Sequence, residues 1–320
     1  MPLNPNLDTL SDYPFEALRT LLNPVTPRVN DSPILMSVGE PQHQPPALLT
    51  ETLMAHAHEW NKYPPMAGTP ELRQAIADWL TRRYRLPAGA LDPERHILNL
   101  AGTKEGLYLF STIAVPRDKG GRQPVVFVPN PYYLVYNGAA TMNGAEAVFL
   151  DATRNNAFLP DLDAIPRDQL ERAALFYLCS PANPQGTVAS LDYLKQAITL
   201  ARRHDFVLAV DECYAEIYDR APPSGALEAC AALGPGATGL FHNAVAAAWI
   251  GNGTWQPPKS RRRLNSAISF GSPATKPERS PAALDRFDSE WKTTTLSNRP
   301  FAPGPSAAQA SSAPDGGARS

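Results

Sequence analysis

An α/β protein built on a mainly parallel sheet is the fold this sequence predicts, and three observations carry that expectation. From His96 to Val210, short apolar runs alternate with segments of helical spacing, the pattern of strands joined by crossover helices. Two runs, Ala174-Leu175-Phe176-Tyr177-Leu178 and Phe206-Val207-Leu208-Ala209-Val210, are continuously apolar, as strands buried on both faces of a parallel sheet are. Each is followed by polar groups, Asn183 after the first and Asp211 at the end of the second. That is the carboxyl edge, where open α/β sheets place their ligands.

The elements follow in order. Residues 12–19 open with a capping residue and the apolar spacing of a short helix. Ile34-Leu35-Met36-Ser37-Val38 is expected as a strand ending at Gly39-Glu40-Pro41, and 46–58 as a helix. Proline and glycine make 63–68 a loop. Thr69 then caps a helix that has Pro70 at its first position and Leu72, Ile76, Trp79 and Leu80 on one face. Strands are expected at 96–100, 125–128, 147–150, 175–178 and 206–210, the last closing the series. Helices are expected at 104–115, 132–142 and 191–203, and a loop with a short helix over 221–233.

After about Gly234 the periodicity fades. Trp255-Gln256-Pro257-Pro258, the basic run Lys259-Ser260-Arg261-Arg262-Arg263 and a Pro/Ser/Ala-rich end follow. Such a stretch buries too little surface to offset its ordering entropy, so a disordered tail is expected. Charge changes as well, from a balance of −6 over residues 1–220 to +4 over 221–320. The division expected is an N-terminal segment 1–38, a large domain 39–233 and a tail 234–320.

Composition is that of a globular protein, with a net charge of −2 that gives no reason to expect nucleic acid or a membrane as partner. No apolar run approaches a membrane span, and the start lacks the features of a signal peptide. Cys179, Cys213 and Cys230 have no metal-ligand spacing and are expected to pack in the core, which favours the reducing cytoplasm.

Several residues carry chemistry. Gly102-Thr103-Lys104 joins a strand to a helix, and free backbone N–H groups with the helix dipole make such a turn an anion site. Tyr133, just after a strand end, offers a ring for stacking. Asn183 offers amide donors, and Asp211 a carboxylate that is costly to bury without a cationic partner. Tyr214 lies three residues beyond it. Taken singly, these also read as a helix cap, a core aromatic, a turn and a second cap.

Their order and spacing resemble the class I/II aminotransferases of pyridoxal phosphate (PLP) fold type I. The motifs are Tyr63…Gly68, Gly102-Thr103-Lys104, Pro131-Tyr132-Tyr133, Asn183-Pro184-Gln185-Gly186 and Asp211-Glu212-Cys213-Tyr214, spread over about residues 10–233. The resemblance implies an incomplete three-layer α/β/α large domain of the aspartate aminotransferase type. It implies PLP as cofactor, amino acid and 2-oxo acid substrates, and a homodimer. Gly102, Thr103 and Lys104 are implied to bind the phosphate, Tyr133 to stack on the ring, and Asn183 and Tyr214 to meet its 3′-oxygen. Asp211 is implied at the pyridine nitrogen, Gly39 at the substrate carboxylate, and Tyr63 at the phosphate of a partner subunit. A pocket the size of a pyridine ring is expected among them. Tyr13-Pro14-Phe15, Ser37-Val38-Gly39-Glu40-Pro41-Gln42-His43 and Asp211-Glu212-Cys213-Tyr214-Ala215-Glu216-Ile217-Tyr218 look like one branch, the bacterial N-succinyldiaminopimelate aminotransferases of lysine synthesis.

One family feature is missing. The Schiff-base lysine is expected thirty to forty residues after the aspartate, yet no lysine stands between Lys195 and Lys259. No catalytic residue is therefore assigned, and the family's C-terminal arginines have no counterparts. A frameshift near codon 234 would account for the loss of match, with a natural insertion or a dedicated tail as the rival, and a nearly inactive chain is expected.

Overall fold

The computed structural model describes residues 3–10, 13–26, 34 and 44–234, together with the backbone of 239–243 and 246–250. The strand expected at 34–38, Gly39, and the sequence from 251 onward lie outside the described residues, apart from Ile34. The chain divides into two units. The described part of the smaller one, 44–61, holds α2 (Ala47–Ala55) and a 3-10 turn at Ala57–Glu59.

The larger unit opens with a 3-10 turn at Pro5–Thr9 and α1 (Pro14–Leu22). It continues through α3 (Pro70–Arg83), α4 (Pro93–His96), β1 (Ile97–Leu98), α5 (Thr103–Ala114), β2 (Val125–Asn130), α6 (Leu134–Met142) and β3 (Glu146–Asp151). Then come α7 (Arg167–Arg172), β4 (Ala173–Cys179), α8 (Leu191–His204), β5 (Val207–Asp211), α9 (Ala226–Leu233), β6 (Gly239–Asn243) and β7 (Ala246–Ile250). The strands form one sheet in the order β1-β7-β6-β5-β4-β2-β3. Pairing is parallel from β3 through β2, β4 and β5 to β6, and antiparallel on both sides of β7. β1 therefore runs in the direction of β5.

Helices cover both faces, as expected for three layers. Leu107 and Phe110 of α5 and Tyr136 and Ala140 of α6 pack on one face with Val126, Val128, Leu175, Tyr177 and Ala209. On the other, side chains of α3, α8 and α9 pack against Phe127, Phe176, Leu178, Leu208 and Val210. The continuous apolar runs are explained by this double burial: every residue of β4 is buried.

Local chemistry sets the boundaries. Thr69 accepts from the Leu72 N–H at 3.2 Å, and Pro70 begins α3. Thr69→Ala is expected to lower unfolding free energy by about 1 kcal/mol, measured by denaturant titration. The strand expected at 96–100 is only two residues long, because Asp92 caps a helical turn over Pro93–His96 by accepting from the Glu94 N–H at 2.9 Å. The helix expected from 132 begins at Leu134, with Tyr133 extended at φ −80° and ψ 127° as its N-cap.

The sheet does not close with β5. β6 pairs beside it, Asp211 opposite His242, and β7 returns to β1. The expectation of an irregular chain from about 235 is corrected for 239–243 and 246–250. The reason is visible in the sequence: Gly239 to Gly251 is largely apolar, and the Pro, Ser and Arg enrichment begins beyond it. An unpaired β5 would leave a fully apolar strand at the sheet edge.

Candidate functional site

The shared direction of β1, β2, β4 and β5 brings their carboxyl ends to one edge of the sheet. Gly102 and Thr103 follow β1, Tyr133 follows β2, Asn183 follows β4, and Asp211 ends β5. Asp211 sits in the interior of the sheet order, with β4 and β6 on either side.

Asp211 is 3% exposed. Its Oδ2 accepts from the Tyr136 hydroxyl at 2.8 Å, and its Oδ1 from the Cys213 N–H at 3.2 Å. Burial raises its pKa, and these two hydrogen bonds only partly oppose the rise. Among the described residues no cation faces this carboxylate. A buried acid without a positive partner is costly to keep in a fold.

The Asn183 Nδ2 donates to the Tyr214 hydroxyl oxygen at 3.4 Å. That leaves the hydroxyl proton free to be donated elsewhere. Burial, then Cys213, Cys179 and Asp211, push the Tyr214 pKa up to about 12, so the group is a donor at neutral pH. The Asn183-Pro184-Gln185-Gly186 turn is closed by the Gly186 N–H on the Ala182 carbonyl at 2.7 Å, and Gly186 takes φ +74°, a conformation that favours glycine.

Tyr133 meets Tyr136 edge-on, with centroids 5.8 Å apart. Its pKa is raised by burial and then by Asp211, with Glu105 on the first turn of α5 contributing. Its hydroxyl is thus within electrostatic reach of both the Asp211 carboxylate and the first turn of α5. There Gly102 provides no side-chain cap, and the Glu105 carboxylate folds back beside it, Oε2 lying 2.8 Å from where a Cβ on Gly102 would stand, so an anion at this helix start would take the place of that carboxylate. Thr103 and Lys104 lie on that turn. No hydrogen bond among the described residues joins it to Asp211 or Asn183.

A small cavity lined by Tyr132, Tyr136, Phe158, Cys179, Asn183 and Gln185 holds about 10 Å³, room for a water; of the residues expected around the cofactor it includes Asn183 alone. Cys213, expected in the core, is only partly buried, whereas Cys179 and Cys230 are buried. Tyr63 is fully exposed, and no hydrogen bond among the described residues ties it to the cluster.

Tyr136 and Tyr177 escaped the sequence reading. Their rings stack at 4.6 Å and 9°, and the Tyr177 hydroxyl donates to the Leu107 carbonyl on α5 at 2.7 Å. The available signal was Tyr136 one helical turn after Tyr133, which places both on the same face.

Comparison with known proteins gives this site a family. The model of aminotransferase class I and II matches residues 31–240, and the chain belongs to that family, whose members use pyridoxal phosphate. An LL-diaminopimelate aminotransferase of Moorella thermoacetica is 39% identical over 194 residues, 59% of this chain and 48% of the relative. One from Dehalococcoides mccartyi is 32% identical over 233 residues, 72% of this chain and 58% of the relative. Among solved structures, an aminotransferase from Neisseria meningitidis superposes with a TM-score of 0.71 at 33% identity, over 78% of this chain and 65% of that one. The chain spans about half the length of the curated relatives it matches. The narrower likeness seen in the sequence was to N-succinyldiaminopimelate enzymes, whereas these relatives carry the LL-diaminopimelate name.

The residues present fit the cofactor. The buried carboxylate of Asp211, with neutral donors and no cation among the described residues, suits a cationic nitrogen, and the Asn183–Tyr214 pair offers donors to an oxygen. Among the described residues no cluster of His, Cys, Asp and Glu could hold a metal ion, and no helix is long and apolar enough to cross a membrane.

Proposed function

We propose that this chain carries the cofactor-binding face of a PLP-dependent transaminase for a diaminopimelate-type amino acid, with a 2-oxo acid as the other substrate. The observation that carries the reading is Asp211, a buried carboxylate with two neutral donors and, among the described residues, no cation. The relatives' names support LL-diaminopimelate as substrate, and the branch motifs support its N-succinyl derivative. The two share one carbon skeleton.

When bound, PLP supplies the electron sink for proton loss at the substrate's α-carbon. Asp211 holds the proton on the pyridine nitrogen, since a facing carboxylate favours the cation. Tyr136 and the Cys213 N–H aim that carboxylate. Asn183 orients Tyr214 to donate to the 3′-oxygen. Tyr133 covers the ring, and Gly102, Thr103 and Lys104 at the α5 start receive the phosphate. Gly39 at the substrate carboxylate and Tyr63 reaching a partner subunit complete the proposal. Full exposure of Tyr63 is compatible with a homodimer.

The segment where the family places its lysine, 241–251, includes β7 and most of β6 and contains no lysine. The chain is thus expected to hold PLP without a covalent bond. A positioned general base contributes about 10²–10⁴-fold, so turnover is expected to fall short of an ordinary 1–10³ per second by at least that factor. The test incubates the 320-residue chain with PLP, 2-oxoglutarate and either LL-diaminopimelate or its N-succinyl derivative, and treats a parallel sample with borohydride. Slow turnover of either, with no cofactor fixed to the chain, is the expected result. Ordinary turnover would contradict the role given to the missing lysine, and absence of PLP binding would contradict the site.

A further inference from the structure

Side chains of β5 alternate between the two faces of the sheet, and the alternation continues past its end. Asp211 meets Tyr136 of α6, whereas Glu212 goes to the α3 and α9 face. Glu212 is 3% exposed. Its Oε2 accepts from the hydroxyl of Tyr84, the C-cap of α3, and its Oε1 accepts from the Ala226 N–H at the start of α9 at 2.8 Å. Tyr84 lies so close to Gly225 that a Cβ there would come within 2.1 Å of its ring, and only glycine fits.

Arg83 binds the same turn. Its Nε lies 2.5 Å from Glu216 Oε1, and its Nη2 donates to the carbonyls of Ala215 and Pro223 at 3.1 Å each. The guanidinium stands 4.8 Å from the centre of the Tyr84 ring. Through these bonds Arg83, Tyr84 and Glu212 tie together Glu212, Ala215, Glu216, Pro223 and Ala226 on the face opposite Tyr136. Nothing in the chemistry assigned above uses Glu212, although a buried carboxylate is an expensive way to fasten a loop.

We propose that Glu212 is a positioning residue for the cofactor site, fixing from behind the turn that presents Asp211 and Tyr214. The proposal rests on the reading of Asp211, Asn183 and Tyr214 as that site. The groups facing Glu212 are Tyr84 and Arg83 from α3, Asp211 from β5, Cys230 from α9, and Glu216, already paired with Arg83. Burial raises the Glu212 pKa to about 7; Tyr84, the Ala226 N–H and Arg83 oppose the rise, and Asp211 adds to it. Ionised, both oxygens of Glu212 accept. Protonated, the group is a neutral match for glutamine, which keeps one acceptor and loses the other.

The experiment is equilibrium dialysis of PLP against the full chain, its Glu212→Gln and Tyr84→Phe variants, and Asp211→Asn as control, from pH 5.5 to 8.5, with circular dichroism to confirm folding. The ratio of the Glu212→Gln dissociation constant to the wild-type constant is expected to be close to one at pH 5.5 and to rise to about tenfold at pH 8.5, a range set by the loss of one charged hydrogen bond. The cofactor's own titration cancels in that ratio. A ratio of one throughout, or a penalty independent of pH, would overturn the proposal. Should Glu212→Gln not fold, Tyr84→Phe decides, because it keeps the charge and removes only the hydroxyl. Several-fold weaker binding at pH 8.5 supports the positioning role, and unchanged binding overturns it. Asp211→Asn separates the two readings. If it binds PLP like wild type, the cofactor site itself is wrongly placed, whatever Glu212 does.

Discussion

Asp211→Asn is expected to weaken PLP binding by about 10- to 100-fold and, at the same time, to raise the melting temperature of the cofactor-free chain. The first effect follows from losing a charged hydrogen bond to the pyridine nitrogen, worth about 1.5–3 kcal/mol. The second follows from burial. The folded-state pKa of Asp211 lies above its ordinary value. Stability from that group is therefore fully present below the ordinary carboxylate range and is lost as pH rises through the folded pKa. At pH 8 the wild-type chain bears that cost and the asparagine variant does not. The asparagine oxygen still accepts from Tyr136, so the gain is expected within about 0.5–2 kcal/mol, the usual size for removing a strained functional group. Dialysis and thermal unfolding of the same samples check both halves. Tighter binding, or a variant less stable at pH 8 than wild type, would contradict the argument.

Glu212→Gln is expected to change the pH dependence of folding more than any other single substitution on the α3 face. The group moves from an ordinary 4.5 to about 7 on folding. A raised acid pKa stabilises the fold below about 4.5, and that contribution is lost as pH rises through the folded value. The shift corresponds to roughly 3 kcal/mol between the two ends of the window. Wild type and variant are thus expected to have similar stability near pH 4.5, while the variant is more stable by up to roughly 3 kcal/mol at pH 8. Urea titrations at the two values measure it. Parallel stability curves across the window would show that Glu212 carries its charge without cost. With the weaker binding argued above, this is stability given up for a fixed turn.

The layers of the fold were legible because parallel strands covered on both faces leave uninterrupted apolar runs, as β4 and β5 do. The carboxyl-edge site was legible for a related reason: once the strands are placed, Gly102, Tyr133, Asn183 and Asp211 must share an edge. β6 and β7 were not read as strands, because their apolar stretch was averaged with the Pro- and Arg-rich sequence behind it. Tyr136 and Tyr84 were hidden differently. Each acts through a hydroxyl on a carboxylate 75 and 128 positions away, and pairings at that separation leave no local pattern. Glu212 looked like part of a motif. Only the alternation of faces at the end of β5 shows that it serves the opposite side of the sheet from Asp211. The small cavity beside Asn183 was beyond sequence reasoning, since it depends on how Tyr132, Tyr136 and Phe158 fill space together.

The claim on which everything else depends is that Asp211 faces the pyridine nitrogen of PLP. Nitrogen-15 NMR of PLP labelled at that nitrogen, bound to the 320-residue chain and followed from pH 6 to 9, tests it most directly. The expected result is a nitrogen that stays protonated at pH values where free PLP has lost the proton, and that loses this protection in Asp211→Asn. A bound nitrogen that titrates like the free ligand, in wild type and variant alike, would contradict the assignment.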